Sequence, residues 1–506
     1  MEQFLNWPSY PETLQAAGVS WKIYQGTDNY GDNGAEYFAT FARYDPEQGG
    51  TPAPGVVWYD HGVATVPEPY PAEDGNADNL ALAIRQDVQA GTLPQVSWVV
   101  TNQQYSEHPD GAPHDGAYYI SQVLKALNTD PDTFNSTLVI IDFDENDGQF
   151  DHVPPPVPAP GTPGEFYLES ALAPQPLPVG LGFRVPLLLI SPWTRGGWVT
   201  SEVSDHTSVI QFLEQWTTAL GQPAVCPNIS AWRRSVCGDL TSAFDFEHPV
   251  FGLPQLPSAG QPIGEPGDAY DPEPATNAMP VQEPGTRRAR PLPYQPNANL
   301  AGISAGQATL SFSNSGPHVS RASHFAVYDN SATGGDLSAY PATTPGQYTV
   351  APAAHEGTTV SASVPLASGS YDLTVVGPNR FLRHFTGDSA QPGATAQVTA
   401  TYHAPGHGPG PGYNPGYGPG PGQPVLALVL ANGGHDAVTF TVTANHYGRH
   451  ADRCYQVPAH GSATHLANPI ASSDGWYDLS VTVSGDRTWS RRYVGHLENG
   501  QPSVTG

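Results

Sequence analysis

The chain has 506 residues and a mass of 53.6 kDa, which suffices for two to four domains of roughly 100–200 residues each. Its 47 acidic residues against 19 basic ones give a formal net charge of −28. Such an acidic surface repels phosphate backbones, so the composition argues against a nucleic-acid partner. No apolar stretch approaches the roughly 20 residues that span a bilayer, so we expect no transmembrane segment.

Residues 1 to 252 alternate short apolar runs with helix-like periodicity. The apolar runs predict strands at Trp21–Tyr24, Val56–Tyr59, Val96–Val100, Leu138–Phe143 and Val185–Ile190. The periodic segments predict helices at Pro11–Ala17, Asn79–Ala90, Gly116–Leu127 and His206–Leu220. This alternation favours an α/β fold with a mostly parallel sheet and helices on both faces.

The densest polar segment, residues 142–152, directly follows the predicted strand 138–143. It contains Asp144, Glu145 and His152. Carboxylates at the carboxyl end of a buried strand lie where open α/β sheets bind ligands, and oxygen and nitrogen ligands suit a divalent cation. The segment therefore predicts a metal or catalytic site, with a solvated acidic loop as the alternative.

Three further histidines follow predicted strands or precede a predicted helix. His108 follows Val96–Val100, the pair Asp60-His61 follows Val56–Tyr59, and the pair Asp205-His206 begins the helix 206–220. Each also has a structural interpretation, because a lone histidine is often part of the scaffold and Asp205 is a good helix N-cap. Acids and histidines at four such places favour convergence on one pocket.

The sequence gives little information on the nucleophile or the compartment. Residues 1–252 contain no G-x-S-x-G elbow, P-loop, G-x-G-x-x-G after a strand, or H-E-x-x-H motif. Residues 1–5 show neither the basic nor the apolar region of a signal peptide. Cys226 and Cys237 would form one local disulfide in a secreted protein, but three cysteines make no disulfide framework and leave the compartment open.

The remainder of the chain reads as two β-rich units. We predict a Pro-rich linker at 253–296, a β-sandwich at 297–403, a flexible Gly/Pro linker at 404–423 and a second β-sandwich at 424–506. The units share a repeat: residues 371–375 (YDLTV) match 477–481 (YDLSV), and both are followed by glycine and an aromatic-x-Arg-x-aromatic-x-Gly run. A core hairpin and a ligand site are both compatible with this motif.

Several ordered motifs together resemble bacterial phosphocholine-preferring phospholipase C, of the alkaline-phosphatase-like phosphoesterase superfamily. The motifs are YPETLQAAGVSWKIYQ at 10–25, DNYGDN at 28–33, LPQVSW at 93–98, SEHP at 106–109, DENDGQFDHVPP at 144–155, DHTS at 205–208, WRR at 232–234 and CGDL at 237–240. The two β-units resemble the tandem C-terminal domain of the same family. The resemblance covers nearly the whole chain.

The resemblance implies an alkaline-phosphatase-like core that hydrolyses phosphatidylcholine or sphingomyelin, at a membrane surface, to phosphocholine and a lipid alcohol. It further implies a divalent metal held by Asp144 and Glu145, with His108 as a pocket residue near the phosphoryl group. His152 and His206 are carried over as supporting or acid/base groups. It also implies a secreted or cell-surface protein.

One departure from the family pattern bears on activity. Family members begin with an export signal, an Asn-Arg-Ser-Phe-Asp-His-like segment that supplies metal ligands, and a nucleophilic Ser or Thr, and this sequence shows none of them. The sequence thus predicts an N-terminally truncated chain without an identified nucleophile. The alternatives are an inactive fragment whose β-units act as binding modules, or an acid phosphatase of the same superfamily.

Overall fold

The computed structural model describes residues 4–26, 31–66, 79–108, 111–146, 153–167, 176–260, 262, 284–304, 306–332, 346–352, 359–366, 369–403, 424–447 and 451–506. Of the predicted features, His152 and the linker 404–423 lie outside the described residues, as does much of the linker 253–296.

The first 252 residues combine helices with short strands. The helices are α1 (Tyr10–Ala17), α2 (Ala39–Ala42), α3 (Val57–Asp60), α4 (Asn79–Ala90), α5 (Pro113–Leu127), α6 (Pro131–Asn135), α7 (His206–Ala219) and α8 (Ala231–Val236). The strands are β1 (Trp21–Gln25), β2 (Val96–Val100), β3 (Val139–Asp142), β4 (Phe166–Tyr167), β5 (Leu177–Pro178) and β6 (Leu187–Ile190).

The apolar stripes of α4 and α5 pack against each other and form one core of this region. Leu80, Ile84 and Val88 of α4 are buried in the same cluster as Leu124 and Leu127 of α5. Their spacing of three or four residues places each set on one helix face. Helix packing therefore fixes the two loops that lead into and out of β2.

The direction of the strands agrees with the prediction only in part. β1 and β2 pair in parallel, with Trp21 opposite Val96. β3 and β6 pair antiparallel, with Asp142 opposite Leu187, which contradicts a mostly parallel sheet for this pair. Apolar content predicts a buried strand but carries no information on its direction. The 44 residues between these strands include the antiparallel pair β4–β5, so the chain returns without a described crossover helix.

The strand predicted at Val56–Tyr59 is wrong, because Val57–Asp60 forms the short helix α3. The carboxylate of Asp60 accepts a hydrogen bond from Gly55 N at 2.9 Å, which closes the turn before the helix. Trp58 then stacks on Trp21, with ring centroids 6.0 Å apart. Local turn chemistry and this aromatic contact decide the conformation of a run too short to show a period.

The C-terminal half is β-rich. Its strands are β7 (Arg288–Ala289), β8 (Pro296–Ser304), β9 (Gln307–Asn314), β10 (Ser323–Asp329), β11 (Gly346–Val350), β12 (Thr359–Pro365), β13 (Ser370–Val376), β14 (Leu382–Asp388), β15 (Ala396–His403), β16 (Val425–Asn432), β17 (Val438–His446), β18 (Arg453–Val457), β19 (Ser462–Ala467), β20 (Trp476–Val483), β21 (Asp486–His496) and β22 (Ser503–Val504), with helix α9 (Pro469–Ser473) before β20.

The two repeats share one sheet instead of forming two separate sandwiches. Within the described residues, eight antiparallel strands run in the order β11-β10-β13-β14-β21-β20-β17-β18, and the order is symmetric about the β14–β21 pair. Two three-stranded sheets, β12-β9-β8 and β15-β16-β19, complete the layers. The repeats therefore face each other as two subunits do around a twofold axis. Sequence patterns within each repeat could not reveal this pairing, because it joins strands about a hundred residues apart.

The symmetry also places the boundary between the two repeats before β15 and not at the predicted linker 404–423. β15 is the counterpart of β8, since each is an outer strand of its three-stranded sheet and pairs with the next strand in the chain. β15 pairs with β16 from Ala396–Asn432 to His403–Val425. The predicted boundary at 404–423 thus falls between two strands that are hydrogen-bonded neighbours.

The β-rich half packs tightly against the first half. The buried hydroxyl of Tyr294 accepts from Val203 N at 2.9 Å and donates to Ser201 O at 3.0 Å. Trp232 Nε1 of α8 donates to Thr349 Oγ1 at 3.0 Å. The two halves are therefore joined by satisfied, partly buried polar contacts as well as by the chain.

Cys226 and Cys237 are free thiols, as is Cys454, so the local disulfide is not formed. Within the described ranges, none of the helices combines the length and hydropathy that a bilayer-spanning segment requires.

Candidate functional site

The end of β3 meets the start of α7. Asp142 is the last residue of β3, and its carboxylate lies 3.2 Å from Nδ1 of His206, the first residue of α7. Nε2 of His206 lies 3.1 Å from the backbone oxygen of Asp144. The structure thus brings together two segments that the sequence separates by about sixty residues.

Both ring nitrogens of His206 face oxygens that can only accept hydrogen bonds. The imidazolium form satisfies both contacts at once, because it alone donates from both nitrogens. The hydrogen bond to Asp142 accordingly raises the pKa of His206 above its ordinary value. His206 is suited to holding the Asp144 loop in place by donating hydrogen bonds from both ring nitrogens.

The position of His206 depends on a buried network behind it. Asp205 caps α7 by accepting from Thr207 N at 3.0 Å. The other oxygen of Asp205 accepts from Arg233 of α8, which also pairs through two nitrogens with the carboxylate of Glu165, at 3.0 and 2.7 Å. Such a forked contact fixes the guanidinium and, through Asp205, the first turn of α7.

The loop after β2 carries His108 directly after a residue with a strained backbone. His108 is exposed, and the preceding residue, Glu107, has a left-handed φ of 63°. The side chain of Glu107 lies over Gly116 of α5, where any Cβ would collide with its carboxylate. Burial raises the pKa of Glu107. Strained non-glycine residues concentrate at functional sites, which supports a role for this loop.

Asp32 is a site residue that sequence reasoning missed. Burial raises the pKa of Asp32, the Asp144 carboxylate raises it further, and His108 lowers it. Asp32, His108 and Asp144 therefore share one electrostatic environment, although their loops follow three different strands. The available signal was Asp32 in the loop that follows β1, the same kind of position that singled out the other acids.

Asn33 anchors the loop that carries Asp32. Its buried amide nitrogen donates to Gln25 Oε1 at 2.6 Å and to Gly62 O at 2.7 Å. Its amide oxygen accepts from Ala35 N at 3.0 Å. These bonds tie the loop to the carboxyl end of β1, which lies beside the carboxyl end of β2 in the parallel pair.

The predicted metal ligands Asp144 and Glu145 are adjacent residues at the surface, and the geometry around them gives only partial support for a metal site. Asp144 and Glu145 are both exposed, and Asp144 Oδ1 accepts from Glu145 N at 2.9 Å. No group of three or more His, Cys, Asp or Glu side chains arranged for a metal occurs among the described residues. The effect of Asp144 on the pKa of Asp32 nevertheless fits a cation, because a positive charge beside them would relieve the repulsion of two carboxylates.

The remaining histidine candidates take no described part in this site. The ring of His61 packs edge-on against Trp21 at a centroid distance of 5.7 Å, at the start of β1, so it belongs to the core. Because α3 replaces the predicted strand, Asp60-His61 does not follow a strand end. His152 lies outside the described residues.

Comparison with protein families matches both halves of the chain. The Phosphoesterase family matches residues 1–218, the half that contains the site described above. The bacterial phospholipase C C-terminal domain matches residues 288–388 and 411–496, which correspond to the two β-repeats.

Individual relatives match nearly the whole chain. Non-hemolytic phospholipase C of Burkholderia pseudomallei is 38% identical over 539 residues, which cover 99% of this chain and 69% of the relative. A non-hemolytic phospholipase C of Pseudomonas aeruginosa is 36% identical, covering 99% and 68%, and a hemolytic phospholipase C of the same organism is 35% identical, covering 99% and 69%. The chain therefore belongs to the bacterial phospholipase C family of phosphoric diester hydrolases.

Proposed function

We propose that this chain hydrolyses phosphatidylcholine, and also sphingomyelin, to release phosphocholine and a diacylglycerol or ceramide. The observation that carries the proposal is the shared site of Asp32, His108 and Asp144, beside the Asp142–His206 pair. Its location in the half matched by the Phosphoesterase family supports phosphodiester chemistry. We also propose that the protein acts at a membrane surface and is secreted or held at the cell surface.

In this mechanism, Asp144 and Glu145 would hold a divalent cation, with Asp32 as a further carboxylate nearby. When bound, the cation would neutralise charge on the phosphate oxygens. His108 is the exposed histidine of the site and would protonate the leaving alcohol oxygen. His206 keeps the Asp144 loop in position through its contacts with Asp142 and the Asp144 backbone. The nucleophile is not assigned to any residue of this chain.

The test is hydrolysis of p-nitrophenylphosphocholine, with p-nitrophenyl phosphate as the monoester comparison. The full chain is treated with EDTA and then supplied separately with Mg²⁺, Ca²⁺, Mn²⁺ or Zn²⁺. We expect cleavage of the diester in preference to the monoester, restored by at least one of the cations. Preference for the monoester would instead indicate an acid phosphatase.

Site variants separate the catalytic proposal from an inactive binding module. Asp144→Asn and Asp32→Asn should each lower diester hydrolysis at least a hundredfold, whereas Glu47→Gln, on an exposed loop, should leave it unchanged. Full activity in Asp144→Asn would remove Asp144 from the site. Cation binding without hydrolysis of either substrate would favour the inactive module.

A further inference from the structure

A cavity of about 450 Å³ lies between α4, α5 and the segment 257–260, and its lining includes none of the residues of the candidate active site. Its volume is within the range of small-molecule sites. The walls include Arg85 from α4 and Ser121, Gln122 and Lys125 from α5. Ser121 and Gln122 are buried, so the polar character of the wall extends into the protein.

The cavity has a charge opposite to that of the protein. Arg85 and Lys125 both line it, and none of its described lining residues is acidic. The whole sequence has 19 basic residues against 47 acidic ones, with lysine only at positions 22 and 125. Lys22 is paired with Asp87 at 3.0 Å, whereas no ion pair joins Lys125 or Arg85 to another described residue. Two cations in one cavity repel each other unless an anion lies between them.

The side chain of Arg85, unpaired within the described part of the chain, is a second observation about this cavity, separate from the charge of its lining. Its Nε atom is buried and has no hydrogen-bond partner among the described residues. A buried donor without a partner is uncommon and costs free energy, so packing within the chain does not by itself explain an arginine at this place. Lys125 alone would be explained by its place in the last turn of α5, where a cation complements the helix dipole. That explanation does not account for Arg85, which lies on a different helix.

We propose that this cavity binds a small molecule bearing a phosphate group. The guanidinium of Arg85 and the ammonium of Lys125 would neutralise the phosphate, since both are donors without acceptor capacity. The hydroxyl of Ser258 and the amide of Gln122 offer further donors to the remaining oxygens. The rest of the volume leaves room for an organic group attached to the phosphate.

Isothermal titration calorimetry tests the proposal, with the EDTA-treated full chain and two separate probes, inorganic phosphate and phosphocholine. We expect saturable binding with one site per chain. Arg85→Gln and Lys125→Gln should each weaken binding at least tenfold, while Arg487→Gln, at an exposed position of the β-rich half, should leave it unchanged. Tighter binding of phosphocholine identifies an organic ester as the source of the phosphate, and equal or tighter binding of phosphate identifies the free anion.

A further variant keeps both charges and tests whether binding can be lost without misfolding. Ser258→Trp should fill the cavity and abolish binding with an unchanged circular dichroism spectrum. Asp144→Asn should bind as the unsubstituted chain does, which separates this site from the proposed catalytic one. The proposal is overturned if neither probe binds saturably, if the two charge variants and Ser258→Trp bind normally, or if only Asp144→Asn loses binding.

Discussion

Arg383 of the first β-repeat donates a hydrogen bond to the hydroxyl of Tyr477 in the second, at 3.1 Å. The reciprocal bond joins Arg491 to Tyr371 at 2.7 Å. The exchange follows from the pairing of β14 with β21, which sets His384 opposite its counterpart Arg492 at the centre of the symmetry. The repeated Tyr and Arg positions therefore fasten the repeats together, which favours the core-hairpin interpretation over a ligand site.

The first prediction concerns this exchange. Tyr371→Phe and Tyr477→Phe should each lower the free energy of unfolding by about 1.5–3 kcal/mol, because each removes the acceptor of a buried charged donor. Urea denaturation monitored by tryptophan fluorescence measures the change. Tyr167→Phe is the control, since this tyrosine is 47% exposed. A loss no larger than that of the control would show that the exchange contributes nothing to stability.

A second prediction concerns the network behind His206. Arg233→Lys keeps the charge but cannot contact Glu165 and Asp205 with the same fork. We expect diester hydrolysis to fall about tenfold, mainly in kcat, and the NMR signals of the His206 ring to shift.

The neighbouring arginine supplies the matched control for that variant. Arg234 pairs with Glu214 through two bonds of 2.7 and 2.9 Å, but Glu214 lies two turns further along α7 than His206. Arg234→Lys should leave the His206 signals in place. If both variants shift these signals equally, Arg233 has no specific positioning role.

The third prediction is a pH dependence of stability. Burial lowers the pKa of His324 to about 4, and its ring contacts Trp232 of the first half edge-on. A histidine that is neutral when folded and has a pKa of about 6.5 when unfolded loses stability as the pH falls below 6.5. From pH 7 to pH 5 the loss should be about 2 kcal/mol.

Denaturation midpoints across this pH range measure the effect. His324→Gln removes the titrating group, so the slope between pH 6.5 and 5 should be smaller by about one proton in the variant. Carboxylates elsewhere affect the chain and the variant alike. Identical slopes would mean that His324 is protonated in the folded state.

A fourth prediction concerns the strained loop beside the site. Replacing a helical glycine with alanine ordinarily stabilises a helix by about 1 kcal/mol, but Gly116→Ala would push the Glu107 carboxylate away from α5. We expect an unchanged or raised melting temperature together with at least a tenfold loss of diester hydrolysis, because His108 moves with its neighbour. Gly34→Ala meets no neighbouring atom and is the control. Retained activity in Gly116→Ala would show that Glu107 does not position His108.

Strong local patterns in the sequence predicted the longer elements correctly. The periodicity of α4, α5 and α7, and the apolar runs of β1 and β2, agree with the structure to within a few residues. The short run at 56–59 was misassigned because its turn and tryptophan contact, not its hydropathy, decide its shape. The pairing of β14 with β21 depends on contacts between distant residues, which a pattern in one repeat does not encode.

In the candidate site, too, local sequence patterns identified some residues, while those that depend on contacts between distant segments were missed. The acids after β3, the histidine after β2 and the histidine at the start of α7 were singled out from their places in the sequence. Their metal-binding and acid/base roles remain predictions. Asp32 was missed because its effect arises only where the β1, β2 and β3 loops come together. The support of His206 by Arg233 was equally hidden, since it joins residues brought together only by folding.

Because His403 pairs with Val425, residues 404–423 connect two adjacent strands of one sheet. They are therefore not a spacer between two domains. Adjacent strands lie about 5 Å apart, and the counterpart hairpin in the first repeat returns between Ser304 and Gln307. A two- to five-residue turn could thus replace residues 404–423. For the same reason, a protease cut within that stretch should leave the two pieces eluting together as one particle, held by the shared sheet.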